Sequence, residues 1–140
     1  MIPRLLLVDD HELFRAGIAR ILEETCDICG YASDAEEAIE KVIDLRPDLV
    51  LLDISVPVMG GPATAREIRR VAPATKIVLL SKSDSDAADA QSTDIDACLS
   101  KRSPIGDLYK TIARILNVPY EDSFEPNSTN LISIDGREPE

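Results

Sequence analysis

The stretch LLLVDD, residues 5–10, sets four apolar residues directly against two aspartates. A short apolar run of this kind is typical of a strand that is buried on both faces, because a strand with one wet face would alternate apolar and polar residues. The same pattern returns in DLVLLDI, residues 48–54, and in KIVLLS, residues 76–81. Strands buried on both faces predict a parallel sheet that helices cover on each side.

Segments with the 3.6-residue period of a helix separate these strands. One helix is predicted over residues 11–24 and a second over residues 34–45, with Ser33 and Glu36 as a capping box at its start. The predicted inward-facing residues are Leu13, Phe14, Ile18, Ile21 and Leu22 in the first helix, and Ala38, Ile39, Val42 and Ile43 in the second. Each helix would therefore turn one apolar stripe toward the sheet.

Two more helices are predicted in the second half of the chain, over residues 62–71 and 103–116. Ser103 is the expected N-cap of the last helix, with Pro104 at its first position. Two shorter apolar runs complete the predicted strands: DICGYA, residues 27–32, and ACLS, residues 97–100. Alternating strands and helices predict an α/β fold with a doubly wound five-stranded parallel sheet and helices on both faces.

Charge and composition exclude some classes of function. The chain has 15 basic and 26 acidic residues, a net charge of −11, which argues against binding of nucleic acid phosphates by this segment itself. No apolar run approaches the roughly 18–20 residues of a membrane span, and the first residues do not look like a signal peptide, so we expect a cytoplasmic protein. The helical periodicity stops near residue 117, which predicts a domain over 1–117 followed by an acidic tail or the start of a linker over 118–140.

Polar side chains follow the predicted strands at the points where the strands end. They are Asp9 and Asp10 after the first strand, Asp53 after the third, Ser81 after the fourth and Lys101 after the fifth. The carboxyl ends of parallel strands meet at one edge of a sheet, and ligands bind in the crevice beyond that edge. We therefore expect these five side chains to converge.

Three converging carboxylates repel one another unless a cation joins them. Mg²⁺ prefers oxygen ligands, so Asp9, Asp10 and Asp53, with a backbone carbonyl near Ser55, form a candidate magnesium site. An alternative stays open for one member of the Asp9–Asp10 pair, which could cap the next helix. A single carboxylate at the end of a central strand suits nucleophilic attack on a phosphoryl group, whose oxygens Lys101 and a serine hydroxyl could then bind.

Four motifs together resemble the receiver domain of two-component response regulators: LLLVDDHELFRAGIARIL, PDLVLLDISVPVMGG, IVLLS and LSKRSP. The resemblance covers residues 3–116 and is strongest to the subgroup whose output is a helix-turn-helix DNA-binding domain. It implies strand order 2-1-3-4-5, a sensor histidine kinase or phosphotransfer protein as partner, and Mg²⁺ as cofactor. The roles it implies are Asp53 as phospho-acceptor, Asp9 and Asp10 as the magnesium pocket, and Ser81 and Lys101 as contacts of the phosphoryl group.

The chain also departs from the pattern of that family. Cys98 stands where the family usually has an aromatic residue, and Lys82 stands where it usually has a small one. The segment over residues 81–97 is shorter than usual, and a fourth helix there would have only alanines to bury. The departures concern transmission of a signal rather than acceptance of a phosphoryl group.

Three functions compete at this point. The leading one is a phosphorylation switch that is no enzyme beyond its own phosphoryl transfer and dephosphorylation. The alternative is a degenerate receiver, a protein-binding module whose output ignores phosphate. A phosphatase ranks last, because such enzymes normally have a second acid two residues after the nucleophile, where this chain has Ser55. A DNA-binding domain beyond residue 140, a stand-alone receiver and a homodimer all stay open.

Overall fold

The fold is a five-stranded parallel sheet with strand order 2-1-3-4-5. It is seen in a computed structural model that describes residues 2–82, 94–118 and 132–136. The strands are β1 (Arg4–Val8), β2 (Asp27–Ala32), β3 (Leu49–Asp53), β4 (Lys76–Ser81) and β5 (Ala97–Ser100). The predicted fold class and strand order are confirmed.

Four helices are present among the described residues. They are α1 (Glu12–Leu22), α2 (Ala35–Leu45), α3 (Gly61–Val71) and α4 (Ile105–Leu116). None of them has the length and apolar character that a bilayer crossing requires. A fourth helix between β4 and β5, considered above for the segment over residues 81–97, stays untested, because residues 83–93 of that segment lie outside the described residues.

The core lies on both faces of the sheet, as the unbroken apolar runs predict. Leu5 and Leu7 of β1 belong to a buried cluster with residues of α1 and α4, whereas Leu6 and Val8 belong to a second cluster with residues of α2 and α3. Successive side chains of a strand point to opposite faces, so each of these residues meets a helix layer. A shift of one residue in strand pairing would move these side chains to the wrong helix layer, so the packing sets the register and with it the positions of the residues at the carboxyl edge.

Two residues assigned to apolar helix faces were assigned wrongly. Leu13 is 91% exposed and Ile43 is 47% exposed. At about 100° per residue, Leu13 lies nine positions and roughly half a turn away from the fully buried Leu22, so both cannot face the sheet. Ile43 lies at the margin of the face that Ala38 and Val42 define.

The predicted helix starts are also displaced. Asp34, not Ser33, is the N-cap of α2: its Oδ1 accepts a hydrogen bond from the Glu37 N–H group at 2.8 Å, and Glu37 Oε1 accepts from the Ser33 N–H group at 2.8 Å. The N-cap therefore lies one residue later than predicted, and Glu37 rather than Glu36 returns a bond, to the N–H group of the residue before the N-cap. At α4 the N-cap is Pro104 rather than Ser103, and it offers no side-chain cap.

The segment 132–136 lies against the sheet-and-helix domain. The side chain of Ile134 is 1% exposed and belongs to the same buried cluster as Ile105 of α4. The domain boundary near residue 117 stays a prediction, but these five residues pack on the domain rather than extend away from it.

Candidate functional site

The strand-end residues lie at the carboxyl edge of the sheet. Asp9 directly follows β1, Asp53 and Ser81 are the last residues of β3 and β4, and Lys101 directly follows β5. Because β3 lies between β1 and β4, Asp53 occupies the middle of this edge. The structure brings Asp9, Asp53 and Lys101 into direct contact.

Lys101 links two of the carboxylates. Its Nζ lies 2.8 Å from Asp9 Oδ2 and 3.3 Å from Asp53 Oδ1, and its side chain is only 10% exposed. The Phe14 ring covers the ammonium group, with Nζ 4.1 Å from the ring centroid. Phe14 was predicted only as a core residue, and its contact with the cation is an addition.

The main chain holds Lys101 in place. Its N–H group donates to the Ser81 carbonyl oxygen at 2.8 Å, which continues the pairing of β4 with β5. Ser81 itself is fully buried, whereas Ser55, two residues after Asp53, is exposed. Ser81 is therefore enclosed at the end of β4, whereas Ser55 is open to solvent.

His11 is a site residue that the sequence interpretation missed. Its Nδ1 lies 2.9 Å from Asp9 Oδ1 and 3.3 Å from Asp10 Oδ1, and its N–H group donates to Asp9 Oδ1 at 2.9 Å. His11 is also the N-cap of α1, so neither aspartate is the N-cap that the alternative interpretation allowed. Its position two residues after Asp9, as the one histidine of the chain, was the available signal.

Arg15 fixes the backbone beside Asp9. Its Nη1 donates to the Asp9 carbonyl oxygen and to Ser33 Oγ, both at 2.9 Å. These bonds join the end of β1 to the loop after β2. Arg15 thus holds the backbone carbonyl of Asp9, and the His11 N–H group holds its side-chain carboxylate.

Asp53 is the least satisfied group of the site. Its side chain is fully buried, and among the described residues neither carboxylate oxygen accepts a hydrogen bond of normal geometry. Burial, and then the charge of Asp9, raise the pKa of the Asp53 carboxyl, while Lys101 and the Ser55 N–H group act in the opposite direction. A buried carboxylate with too few partners is costly, and a further cation would complete its surroundings.

The residues present fit a divalent metal ion. Asp9, Asp10, His11 and Asp53 each offer one ligand atom, and these atoms all lie within 4.8 Å of one another. Carboxylate oxygens are the ligands that Mg²⁺ prefers, and the Asp53 oxygens, which accept no hydrogen bond of normal geometry among the described residues, would gain a partner from the ion. The predicted ligands Asp9, Asp10 and Asp53 are thus brought together.

A close backbone approach shapes the loop after Asp53. Gly60 has φ +83°, and a Cβ atom added at Gly61 would lie 2.8 Å from Ile54 Cα and 3.1 Å from the Asp53 carbonyl oxygen. Glycine at position 61 therefore lets α3 begin directly against the strand that carries Asp53.

Gly61→Ala should therefore destabilise the protein by at least about 1 kcal/mol, since the backbone next to Asp53 must shift. Urea unfolding would measure the loss. Gly17→Ala is the matched control, because a Cβ at Gly17 meets nothing within 4 Å and alanine favours the interior of α1. Equal effects of the two substitutions would contradict the close-approach argument.

The thiols do not add a reactive group. Burial raises the pKa of Cys26, Cys29 and Cys98, and all three are free. Cys98 pairs with Leu79 across β4 and β5 and packs, partly buried, against the core cluster on the α2 and α3 face.

Comparisons with known proteins agree with the geometry. The family model described as the response regulator receiver domain matches residues 5–113. The response regulator protein VraR of Staphylococcus saprophyticus is 30% identical over 118 residues, which is 81% of this chain and 56% of that protein. The response regulator GacA of Pseudomonas viridiflava is 38% identical over 85 residues, 59% of this chain and 40% of GacA. The chain thus spans about half the length of these relatives.

A solved structure shows the same fold. The signal receiver domain of the putative response regulator NarL from Mycobacterium tuberculosis superposes with a TM-score of 0.75 at 28% identity, covering 83% of this chain and 97% of that one. The agreement over nearly the whole of that domain supports the element order described above.

Proposed function

Because the chain belongs to the receiver domain family of response regulators, we propose that it is a phosphoryl-accepting switch of a two-component system with Asp53 as the acceptor. The observation that carries this proposal is the buried Asp53 carboxylate, which accepts no hydrogen bond of normal geometry among the described residues and lies beside Lys101 and the acidic pair. The donor would be a sensor histidine kinase or a phosphotransfer protein.

The chemistry assigns one task to each side chain. A carboxylate oxygen of Asp53 attacks the phosphorus atom, and the bond from phosphorus to the donor atom breaks as the new one forms. Lys101 Nζ, already 3.3 Å from Asp53 Oδ1, would bind one phosphoryl oxygen, and the Ser81 hydroxyl would bind another. Mg²⁺ held by Asp9, Asp10 and Asp53 would neutralise charge on the phosphoryl group. The Ser55 carbonyl stays a proposed further ligand.

The test is acceptance of phosphate from a small donor. Incubation with acetyl phosphate and Mg²⁺ should add the mass of one phosphoryl group to the parent and to Asp44→Asn, a matched control at an exposed aspartate of α2. Asp53→Asn and chelation of the metal should each abolish the adduct. An adduct on Asp53→Asn, or none on the parent, would contradict the proposal.

The alternative is a protein-binding module whose output ignores phosphate, and it has one supporting observation. Cys98, at a β5 position against the core, is too small to exchange between an inward and an outward packing. A partner that binds the parent and Asp53→Asn equally, with and without acetyl phosphate, would favour this alternative.

The wider setting is also a proposal. The relatives GacA and VraR are response regulators of which this chain covers about half, so we propose that an output domain acts on transcription in the cytoplasm. The charge of −11 leaves binding of DNA phosphates to that domain. Apart from its own phosphoryl transfer and dephosphorylation, the chain would catalyse no reaction.

A further inference from the structure

The segment 132–136 pairs with the turn that carries Lys101. The Asp135 N–H group donates to the Lys101 carbonyl oxygen at 2.8 Å, and the Ile134 N–H group donates to the Ser103 carbonyl oxygen at 2.8 Å. Ser133 forms an antiparallel bridge with Pro104. The contact is thus a short run of strand-like pairing along the backbone between β5 and α4.

A buried side chain anchors this pairing. Ile134 is 1% exposed and belongs to the buried cluster that includes Ile105 and Leu108, and Phe14 packs against this cluster. Phe14 is the residue whose ring covers the Lys101 ammonium group. One apolar cluster therefore joins the anchor of the segment to the surroundings of the cation.

The segment also completes the start of α4. Pro104, the N-cap, offers no side-chain acceptor, and the first helical N–H group, that of Ile105, donates to the Ile132 carbonyl oxygen at 2.7 Å. The first four N–H groups of a helix need partners outside it. The Ile132 carbonyl oxygen of the segment therefore serves as the hydrogen-bond acceptor that the side chain of Ser103, the predicted N-cap, does not provide.

We propose that the segment 132–136 positions Lys101, so that its ammonium group meets the phosphoryl group on Asp53. The peptide groups on both sides of the Lys101 Cα are held, the N–H by Ser81 of β4 and the carbonyl by Asp135 of the segment. The side chain then has a fixed origin from which it reaches Asp9 and Asp53. The inference rests on the proposed function, and the segment acts through Lys101 without touching the reacting atoms.

Coupling between the segment and the phosphoryl group must be reciprocal. If docking of the segment favours phosphoryl binding, phosphoryl binding favours docking of the segment by the same factor. Beryllofluoride, a phosphoryl mimic, should therefore slow hydrogen exchange of the Ile134 and Asp135 N–H groups, which donate to the Lys101 turn.

Ile134→Ala tests the proposal in the full chain. We expect it to slow phosphorylation by acetyl phosphate at least about fivefold, with Ile134→Val restoring most of the rate. Ile43→Ala, the same change at a half-exposed isoleucine of α2, is the control and should leave the rate unchanged. Asp135→Pro, which removes the N–H donor to Lys101 but keeps Ile134, should also slow the reaction.

The readout that separates positioning from general stability is a double-mutant cycle. In a Lys101→Met background, Ile134→Ala should cause little further loss of rate, because the side chain through which the segment acts is gone. Equal fold losses in both backgrounds, or no loss in either, would overturn the proposal.

A phosphate-free measurement keeps this inference distinct from the proposed function. Without any phosphodonor, Ile134→Ala should speed hydrogen exchange of the Lys101 and Ile105 N–H groups, and unchanged exchange would overturn the positioning role. Absence of an adduct on the parent protein would instead contradict the assignment of Asp53 as acceptor.

Discussion

Lys101→Met should lower the free energy of unfolding of the metal-free protein by about 3–5 kcal/mol, because it leaves two buried carboxylates without their cation. Asp9 and Asp53 are 3% and 1% exposed, and Lys101 Nζ contacts both. Methionine keeps most of the side-chain volume, so the loss reports charge rather than a cavity.

Urea unfolding in the presence of a chelator would measure this loss. Lys82→Met is the matched control at an exposed lysine one residue beyond β4, and its effect should stay within about 0.5 kcal/mol. Adding Asp53→Asn to Lys101→Met should recover part of the stability, since one of the two unpaired charges is then removed. A loss no larger than that of Lys82→Met would show that the three groups are not coupled.

The convergence of the site could be predicted from the sequence because it depends on chain topology alone. Unbroken apolar runs identify parallel strands, and parallel strands bring the residues that follow them to one edge. Asp9, Asp53 and Lys101 follow such runs, so their meeting required no knowledge of side-chain geometry. The same periodicity could not place Leu13, because Leu13 and Phe14 are adjacent apolar residues in the first turn of α1 and only Phe14 packs on the core.

The parts that could not be predicted rest on backbone groups and on distant contacts. The acceptor for the first N–H group of α4 is the carbonyl oxygen of Ile132, and every residue type carries a carbonyl. The docked segment is too short for any periodicity, and its one buried side chain, Ile134, stands in an acidic and proline-rich stretch typical of a tail. The N-cap of α2 was misplaced by one residue for a smaller reason: Ser33 and Asp34 are both good N-cap residues, so the sequence alone did not choose between them.

Asp53→Asn should raise the free energy of unfolding of the metal-free protein by about 1–3 kcal/mol, because it removes a buried charge that lacks hydrogen bonds. Lys101 then pairs with Asp9 alone, at 2.8 Å, as one cation with one anion. Asp53→Asn should stabilise the protein whereas Lys101→Met destabilises it, because the described cluster has more negative than positive charges. Asp44→Asn, at an exposed position, should change stability far less.

The stability gained by Asp53→Asn should decrease as the pH falls. Burial and Asp9 raise the pKa of Asp53 in the folded protein above its unfolded value, so between these two values the folded state binds more protons. The penalty is therefore complete above the folded-state pKa and fades as pH falls through it toward the unfolded pKa. The stability difference between Asp53→Asn and the parent should be largest at neutral pH and should shrink on acidification, as urea unfolding at a series of pH values with chelator would show.

Mg²⁺ should stabilise the parent much more than it stabilises Asp53→Asn. A cation shared by Asp9, Asp10 and Asp53 relieves the same repulsion that Asp53→Asn removes, so the melting temperature of the parent should rise with Mg²⁺ while that of Asp53→Asn rises much less. At neutral pH and saturating Mg²⁺ the stability advantage of the variant should therefore narrow or reverse. An advantage that persists unchanged in Mg²⁺, or one that grows as pH falls, would mean that the charge of Asp53 is not the source of the instability.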